Sequence, residues 1–341
     1  MNKTYQHFQD TLRKIADVEY SIGVLSWDKE VNLPAKGARF RSQQVATLSG
    51  IAHEMITDKA FAKRVDRLYQ RRDQFDPKQK RNITLTWKEM QRKQKYSTDF
   101  VIRSSKVTSD AFHAWLKARA ANDYQLFKEP LGELIKIKRE EARLLGAKGH
   151  PYDSLLDMYE PDCTVAFLDP LFKQVRRKML KLVKEIGTAR QVSDQFLYQR
   201  FPKGQQWKFG LDLLKHMGYD FEAGRQDVSE HPFTINFSAE DVRVTTRIDE
   251  HDFGNMTWSC IHEGGHALYE QGLPAEDYGL PTGRYVSLGI HESQSRLWEN
   301  NVGRSLSYWK AQYPKLKKRF PKQLEKVSLR RFYNFGYCAF Q

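Results

Sequence analysis

Five consecutive residues, His262-Glu263-Gly264-Gly265-His266, restrict what this 341-residue chain can fold into more than any other feature. Two histidines four apart on a helix project from one face, one turn above each other. Their imidazoles can converge on one Zn²⁺, and Glu263, one residue round the helix, can then reach a water at the metal. The run reads as a helix on other grounds. Ile261, Ala267 and Leu268 supply apolar positions, and Gly272 is a natural stop. The bland alternative is a helix that carries two surface or core histidines.

A catalytic zinc takes three protein ligands and leaves a fourth position for water. Glu270 continues the stripe of His262 and His266, but it lies about 12 Å along the axis from His262, too far for both to meet at one ion. The third ligand must come from another element. The candidate is Glu292, near the start of a second predicted helix that runs from His291 to Asn300. Alone, Glu292 reads as a solvated helix-terminal charge. Beside the HExxH run, it completes a His-His-Glu set from two helices, which is a gluzincin arrangement.

The rest of the chain reads mostly as helix. Apolar residues recur at helical spacing at Phe8, Leu12, Ile15, Val18, Ile22 and Leu25, and Pro34 ends that run. A second helix spans about 38–56. Asp76-Pro77 is a helix start, with Asp as N-cap and Pro at the first helical position, and the spacing predicts a helix from there to about 103. Further helices fit 108–126, 130–146, 151–158, 165–188 and 204–217. After residue 300 a basic amphipathic helix follows. Gaps are short and no repeat or long linker separates the segments, so one helical body over 1–341 is expected.

The pattern changes at about 231. Phe233 to Ser238 alternates, and so does Val242 to Ile248, which predicts a β-hairpin just upstream of the HExxH helix. A strand there can offer a free edge to an extended peptide. In that setting Arg243 could hold peptide carbonyls or a carboxylate, and Thr245 could donate a hydrogen bond. The alternative is a small structural hairpin that caps the helical body.

Composition narrows the partners. The net charge is +14, but its basic clusters at 136–139, 176–178, 315–319 and 330–331 are scattered over polar helix faces. With no nucleic-acid-binding motif beside them, they read as solvated faces, and a basic helical nucleic-acid binder is the remote reading. No apolar run approaches the length of a membrane span, and the start lacks a signal-peptide core, so no membrane is expected. Cys163, Cys260 and Cys338 are odd in number and far apart, which fits a reducing cytoplasm rather than a disulfide framework.

The two zinc-site stretches together resemble the thermostable metallocarboxypeptidase family of the carboxypeptidase Taq type. They are His262-Glu263-Gly264-Gly265-His266-Ala267-Leu268-Tyr269-Glu270-Gln271-Gly272 and the run from His291 to Asn300. Weaker matches lie in order along the chain: Leu25 to Asp28 with Leu33-Pro34, Thr47 to His53, and Pro151 to Leu156. His231-Pro232-Phe233 resembles the family's HPF motif, and Asp241, Arg243 and Thr245 its DxRxT motif.

The resemblance implies a mainly α, gluzincin-type helical metallopeptidase with a deep active-site cleft and a small hairpin beside the HExxH helix. The zinc-site region covers about 231–300. It implies a carboxypeptidase that releases C-terminal residues from peptides, with Zn²⁺ or Co²⁺ as cofactor and a homodimer as its assembly. His262, His266 and Glu292 would hold the metal and Glu263 would be the catalytic base. His231, Arg243, Thr245 and Arg296 would face substrate, with Arg247 and Arg284 as further cations. Zinc ligands alone leave endopeptidase or aminopeptidase action open. The family's IRxxAD and GxxQDxHW motifs, which are linked to substrate binding, do not occur, and the likeness fades after about Tyr333. The expectation is a truncated relative that is impaired in catalysis, or a non-catalytic metal-binding remnant.

Overall fold

The computed structural model describes residues 3–189 and 193–338, without the side chains of 335–338. Its residues fall into two compact units, Met1–Met158 with Asn236–Ala239 and Leu273–Tyr285, and Tyr159–Ile235 with Glu240–Gly272 and Val286–Gln341.

The first unit is built on α1 (Lys3–Val31), α2 (Ala38–Thr57), α3 (Lys59–Gln70), α4 (Pro77–Lys93), α5 (Thr98–Ala121), α6 (Gln125–Leu145) and the single turn α7 (Asp153–Leu156). The predicted starts of α2 and α4 hold, and the Asp76 carboxylate caps α4 through the Gln79 N–H. Two expectations are corrected. The run from 77 is two helices, because Ser97 accepts from the Phe100 N–H and starts α5 after the chain turns at residues 94–97. Residues 59–70, to which no helix is assigned from sequence, form α3, capped by Asp58 on the Phe61 N–H. Phe8, Phe61, Val65, Ile83 and Met90 fill this unit's core.

The second unit places the metal motif. Its helices are α8 (Val165–Thr188), α9 (Lys203–Met217), α10 (Phe253–Gln271), α11 (Leu288–Arg296), α12 (Leu306–Arg319), α13 (Pro321–Leu324) and α14 (Leu329–Cys338). A π-helical turn, Leu297–Val302, follows α11 directly. Helix α10 is the centre of the unit and buries residues on nearly every side, including Phe253, Met256, Trp258, Ile261 and Ala267. The Phe253 ring stacks on Phe201 at 4.6 Å and meets Phe320 edge-on at 5.3 Å. Trp258 stacks on Trp309 at 5.3 Å. Helix α8 differs: it buries no side chain, and Leu171, Phe172, Val175, Met179, Val183 and Ile186 form an exposed apolar stripe.

The predicted hairpin is present as β2 (Thr234–Ser238) and β3 (Asp241–Thr246), joined at residues 239–240. A third strand, β1 (Gln226–Val228), is an addition to the expected pair. It lies parallel to β3, with Gln226 opposite Val244, and the order is β1-β3-β2. Three residues are too short for alternation to stand out from sequence. This order leaves β2 at an edge.

Phe253 has no exposed surface and touches three other aromatic rings. Phe253→Ala is expected to destabilise the chain by about 3–5 kcal/mol. Urea unfolding checks this, with the midpoint falling and the slope nearly unchanged.

Candidate metal centre

The polar side of α10 carries His262 and His266, whose rings lie 5.0 Å apart. Across from them α11 presents Glu292. Its Oε2 lies 3.6 Å from His262 Nε2 and 3.3 Å from His266 Nε2. The three ligand atoms all fall within 4.8 Å of one another. Two atoms each about 2.1 Å from a tetrahedral ion lie about 3.4 Å apart. The His-Glu separations match that value, so this donor set fits one zinc-like ion. Among the described residues no other group of three His, Cys, Asp or Glu gathers in this way.

The glycines of the motif explain how α11 comes so close. A Cβ on Gly265 would lie 2.7 Å from Ser295 Cα and 2.9 Å from the Gln294 carbonyl oxygen. A Cβ on Gly264 would instead meet Met217 and Leu214 of α9. Glycine inside a helix costs roughly 0.5–1 kcal/mol against alanine, and close packing on both sides offsets that cost. Helix α11 is started by the Ser287 hydroxyl, which accepts from the Ile290 N–H, and by Glu160, which accepts from the Gly289 N–H at 2.9 Å.

His262 and Glu292 are each oriented by neighbouring side chains. His262 Nδ1 is 2.9 Å from Glu299 Oε2, which leaves Nε2 to face Glu292. Glu299 sits on the π-helical turn, closed by the Gly303 N–H to the Trp298 carbonyl, and such turns recur at functional sites. Arg304 donates to Glu299 at 3.0 Å, and Arg296 donates to both Glu299 and Glu292. Arg296 thereby holds Glu292 Oε1 at 2.8 Å while Oε2 faces the histidines. The Ser295 hydroxyl donates to the Glu292 carbonyl at 2.7 Å.

The electrostatics suit a cation. Burial, with the charges of His291 and His262, lowers the His266 pKa to about 4, so its ring is neutral and ligand-ready at neutral pH. Burial also works against protonated His262, but the Glu299 bond and the surrounding carboxylates outweigh it and raise its pKa. Burial disfavours ionised Glu292, yet His262, Arg296 and His266 together hold its pKa below the ordinary carboxylate range. A divalent cation would replace protons in this cluster.

Glu263 is buried, and burial raises its pKa despite a hydrogen bond from Thr234 and the charge of His262. The Thr234 hydroxyl lies 2.7 Å from Glu263 Oε2 and 2.9 Å from its carbonyl oxygen. This contact ties the carboxylate to the start of β2. Neither Thr234 nor Glu299 is assigned a role from sequence. For Glu299 a signal exists: it lies seven residues after Glu292, two turns along one helix face. For Thr234 there is none, since the contact joins a strand to a helix 29 residues away.

The remaining candidates are placed as follows. His231 is exposed, and its carbonyl accepts from the Ser229 hydroxyl at 2.6 Å. The Thr245 hydroxyl is bonded within the sheet, to Ser229 Oγ at 2.7 Å and to the Phe233 N–H at 2.9 Å. The Arg243 guanidinium makes a two-point contact with Asp241, both bonds at 2.8 Å. These contacts lock the HPF and DxRxT stretches to each other. Arg284 lies in the first unit, paired with Glu19 at 2.9 Å.

With this geometry in view, likeness to known proteins decides the family. The profile described as Carboxypeptidase Taq (M32) metallopeptidase matches residues 7–335. The chain belongs to this family. It is 35% identical to Thermostable carboxypeptidase 1 of Thermus thermophilus, a match that covers 96% of this chain and 67% of that protein. It is 34% identical to Carboxypeptidase 1 of Bacillus subtilis, over 96% of this chain and 66% of that protein. A solved structure described as "BsuCP Crystal Structure" superposes with a TM-score of 0.94 at 33% identity, over 97% of this chain and 67% of the other. The chain thus spans about two thirds of the length of the curated relatives it matches. Membership of a metallopeptidase family implies a divalent metal, which agrees with the His-His-Glu fit.

The Glu299 carboxylate is expected to matter to the M32 site without touching the ion. Glu299→Ala should weaken metal affinity about 10–100-fold, as loss of a carboxylate behind a histidine ligand does. Competition against a chromophoric chelator measures this, and an unchanged affinity would mean that His262 needs no such partner.

Proposed function

We propose that this chain is a zinc-dependent carboxypeptidase that releases C-terminal residues from peptides. The observation that carries the reading is the convergence of His262, His266 and Glu292 with Glu263 beside them, in a chain of this family. His262, His266 and Glu292 would hold the ion. When bound, it would polarise the scissile carbonyl and make a water acidic enough to attack at neutral pH. Glu263 takes the water's proton on its carboxylate and delivers it to the leaving amine. Thr234 fixes the direction in which the carboxylate points.

Substrate is proposed to lie beside β2, the outer strand of the order β1-β3-β2, which reaches Glu263 at Thr234. His231, exposed three residues before β2, and Arg296, exposed and bonded to Glu292 at 2.8 Å, are the substrate-facing candidates. Arg243 and Thr245 would act mainly by shaping the edge, since their polar atoms are engaged within the sheet. The native setting is taken to be the cytoplasm, with Cys163 and Cys260 as free thiols. No helix among the described residues is long and apolar enough to cross a membrane. Self-association into a dimer would be read by sedimentation.

The experiment compares a peptide with a free C-terminus and the same peptide amidated, with Zn²⁺ or Co²⁺ added. Stepwise shortening of the free peptide, little action on the amidated one, and loss of both on chelation are expected. Internal cleavage or trimming from the N-terminus would point to an endopeptidase or aminopeptidase instead.

A further inference from the structure

Glu270 is almost wholly buried on the metal helix, yet it lies too far along α10 to reach the ion. Burying a carboxylate is costly unless it is paired. His291 lies against it, with Nε2 2.8 Å from Glu270 Oε1. The His291 ring also lies flat on His266, with centroids 4.3 Å apart and planes 19° apart. Tyr269 closes the arrangement edge-on to the same ring at 5.6 Å. His266, Tyr269 and Glu270 occupy positions i, i+3 and i+4 of α10, so together they form one socket on one helix face. His291 is the residue before Glu292, the third metal-ligand candidate.

We propose that the Glu270–His291 pair is a latch that sets the height of Glu292 against His262 and His266, and that both are positioning residues of the metal site. The inference rests on the metal reading above. A stack alone fixes the separation of two rings but lets one slide over the other. The Glu270 contact removes that freedom, because it pins His291 along the α10 axis. Glu292 follows on the same helix, and its Oε2 is held at 3.3 and 3.6 Å from the two Nε2 atoms. A metal site tolerates errors of only about 0.2 Å in its ligand distances, so a small slide of α11 costs affinity. His291 is not itself a ligand in this arrangement: its Nε2 is turned to Glu270, and it does not join the three-residue donor cluster.

Replacing both members of a buried polar pair by apolar groups of similar shape costs little stability. The functional and structural roles can therefore be separated. His291→Phe keeps a ring on His266 but strands Glu270. His291→Phe with Glu270→Leu removes both polar partners and should restore the unfolding midpoint of the metal-free chain. The probe is Co²⁺, followed by affinity and by its visible absorption. For the double variant the expected result is near-wild-type stability, Co²⁺ affinity at least 10-fold weaker, and a weakened visible band as water replaces the displaced carboxylate. When added to Glu292→Gln, the same two changes should alter Co²⁺ affinity less than 2-fold, because the latch acts through Glu292. Recovery of affinity along with stability, or losses that multiply in the Glu292→Gln background, would overturn the latch and leave the metal site standing. A wild-type chain that takes up no Co²⁺ would overturn the metal reading and the latch together.

Discussion

Replacing Glu263 by Gln is expected to lower peptide hydrolysis by about 10²–10⁴-fold while metal content stays at the wild-type level. The two effects separate because Glu263 is not among the three converging ligand residues. Its carboxylate accepts a hydrogen bond from Thr234, and the amide of Gln has an oxygen that can accept the same bond. The substitution thus keeps shape and removes only the capacity to take a proton. Single-turnover kinetics on a free-C-terminus peptide, with metal measured on the same sample, tests it. A rate within a few-fold of wild type would remove Glu263 from the chemistry.

The second large effect comes from a residue with no side chain. Gly265→Ala would put a methyl group 2.7 Å from Ser295 Cα, and backbone cannot swing aside as a side chain can. Helix α11 must move away from α10, and Glu292 moves with it. We expect destabilisation of about 1–3 kcal/mol, as for an overpacked interface. We also expect metal affinity to fall about 100-fold or more, since ligand distances must hold to about 0.2 Å. Gly264→Ala is the control. Its methyl meets the mobile end of Met217 at 2.7 Å and Leu214 at 2.9 Å, on the side of α10 away from the ligands. It should cost stability and leave metal affinity near wild type. Equal loss of affinity in both variants would contradict the account of why the motif carries two glycines.

The convergence of His262, His266 and Glu292 is legible in sequence in part because two of the three are local. A four-residue spacing on a helix fixes the relation of His262 and His266, and helical rise excludes Glu270 as their partner. Glu292 needed a second stretch read beside the first. What holds these residues was less visible. Thr234 and His291 make their contacts between elements, where spacing along the chain says little, whereas Glu299 lies two turns past Glu292 along one helix face. Glu270 was excluded as a ligand by its distance along the helix, and the structure shows His291 lying against it. The fold follows the same division. Long amphipathic helices were evident from apolar spacing, whereas α3 and the break before α5 turn on single caps, Asp58 and Ser97. Strand β1 is held by its pairing with β3 rather than by a pattern of its own.

Whether His262, His266 and Glu292 form one site for one ion is tested most directly by a metal titration. Purified wild-type chain, stripped and then titrated with Zn²⁺ against a competing chromophoric chelator, should bind about one ion per chain. In His262→Ala and His266→Ala that tight uptake should be lost, and in Glu292→Gln it should be greatly weakened but still measurable. Binding of one ion with wild-type affinity by these variants, or no tight uptake by the wild-type chain itself, would contradict the account.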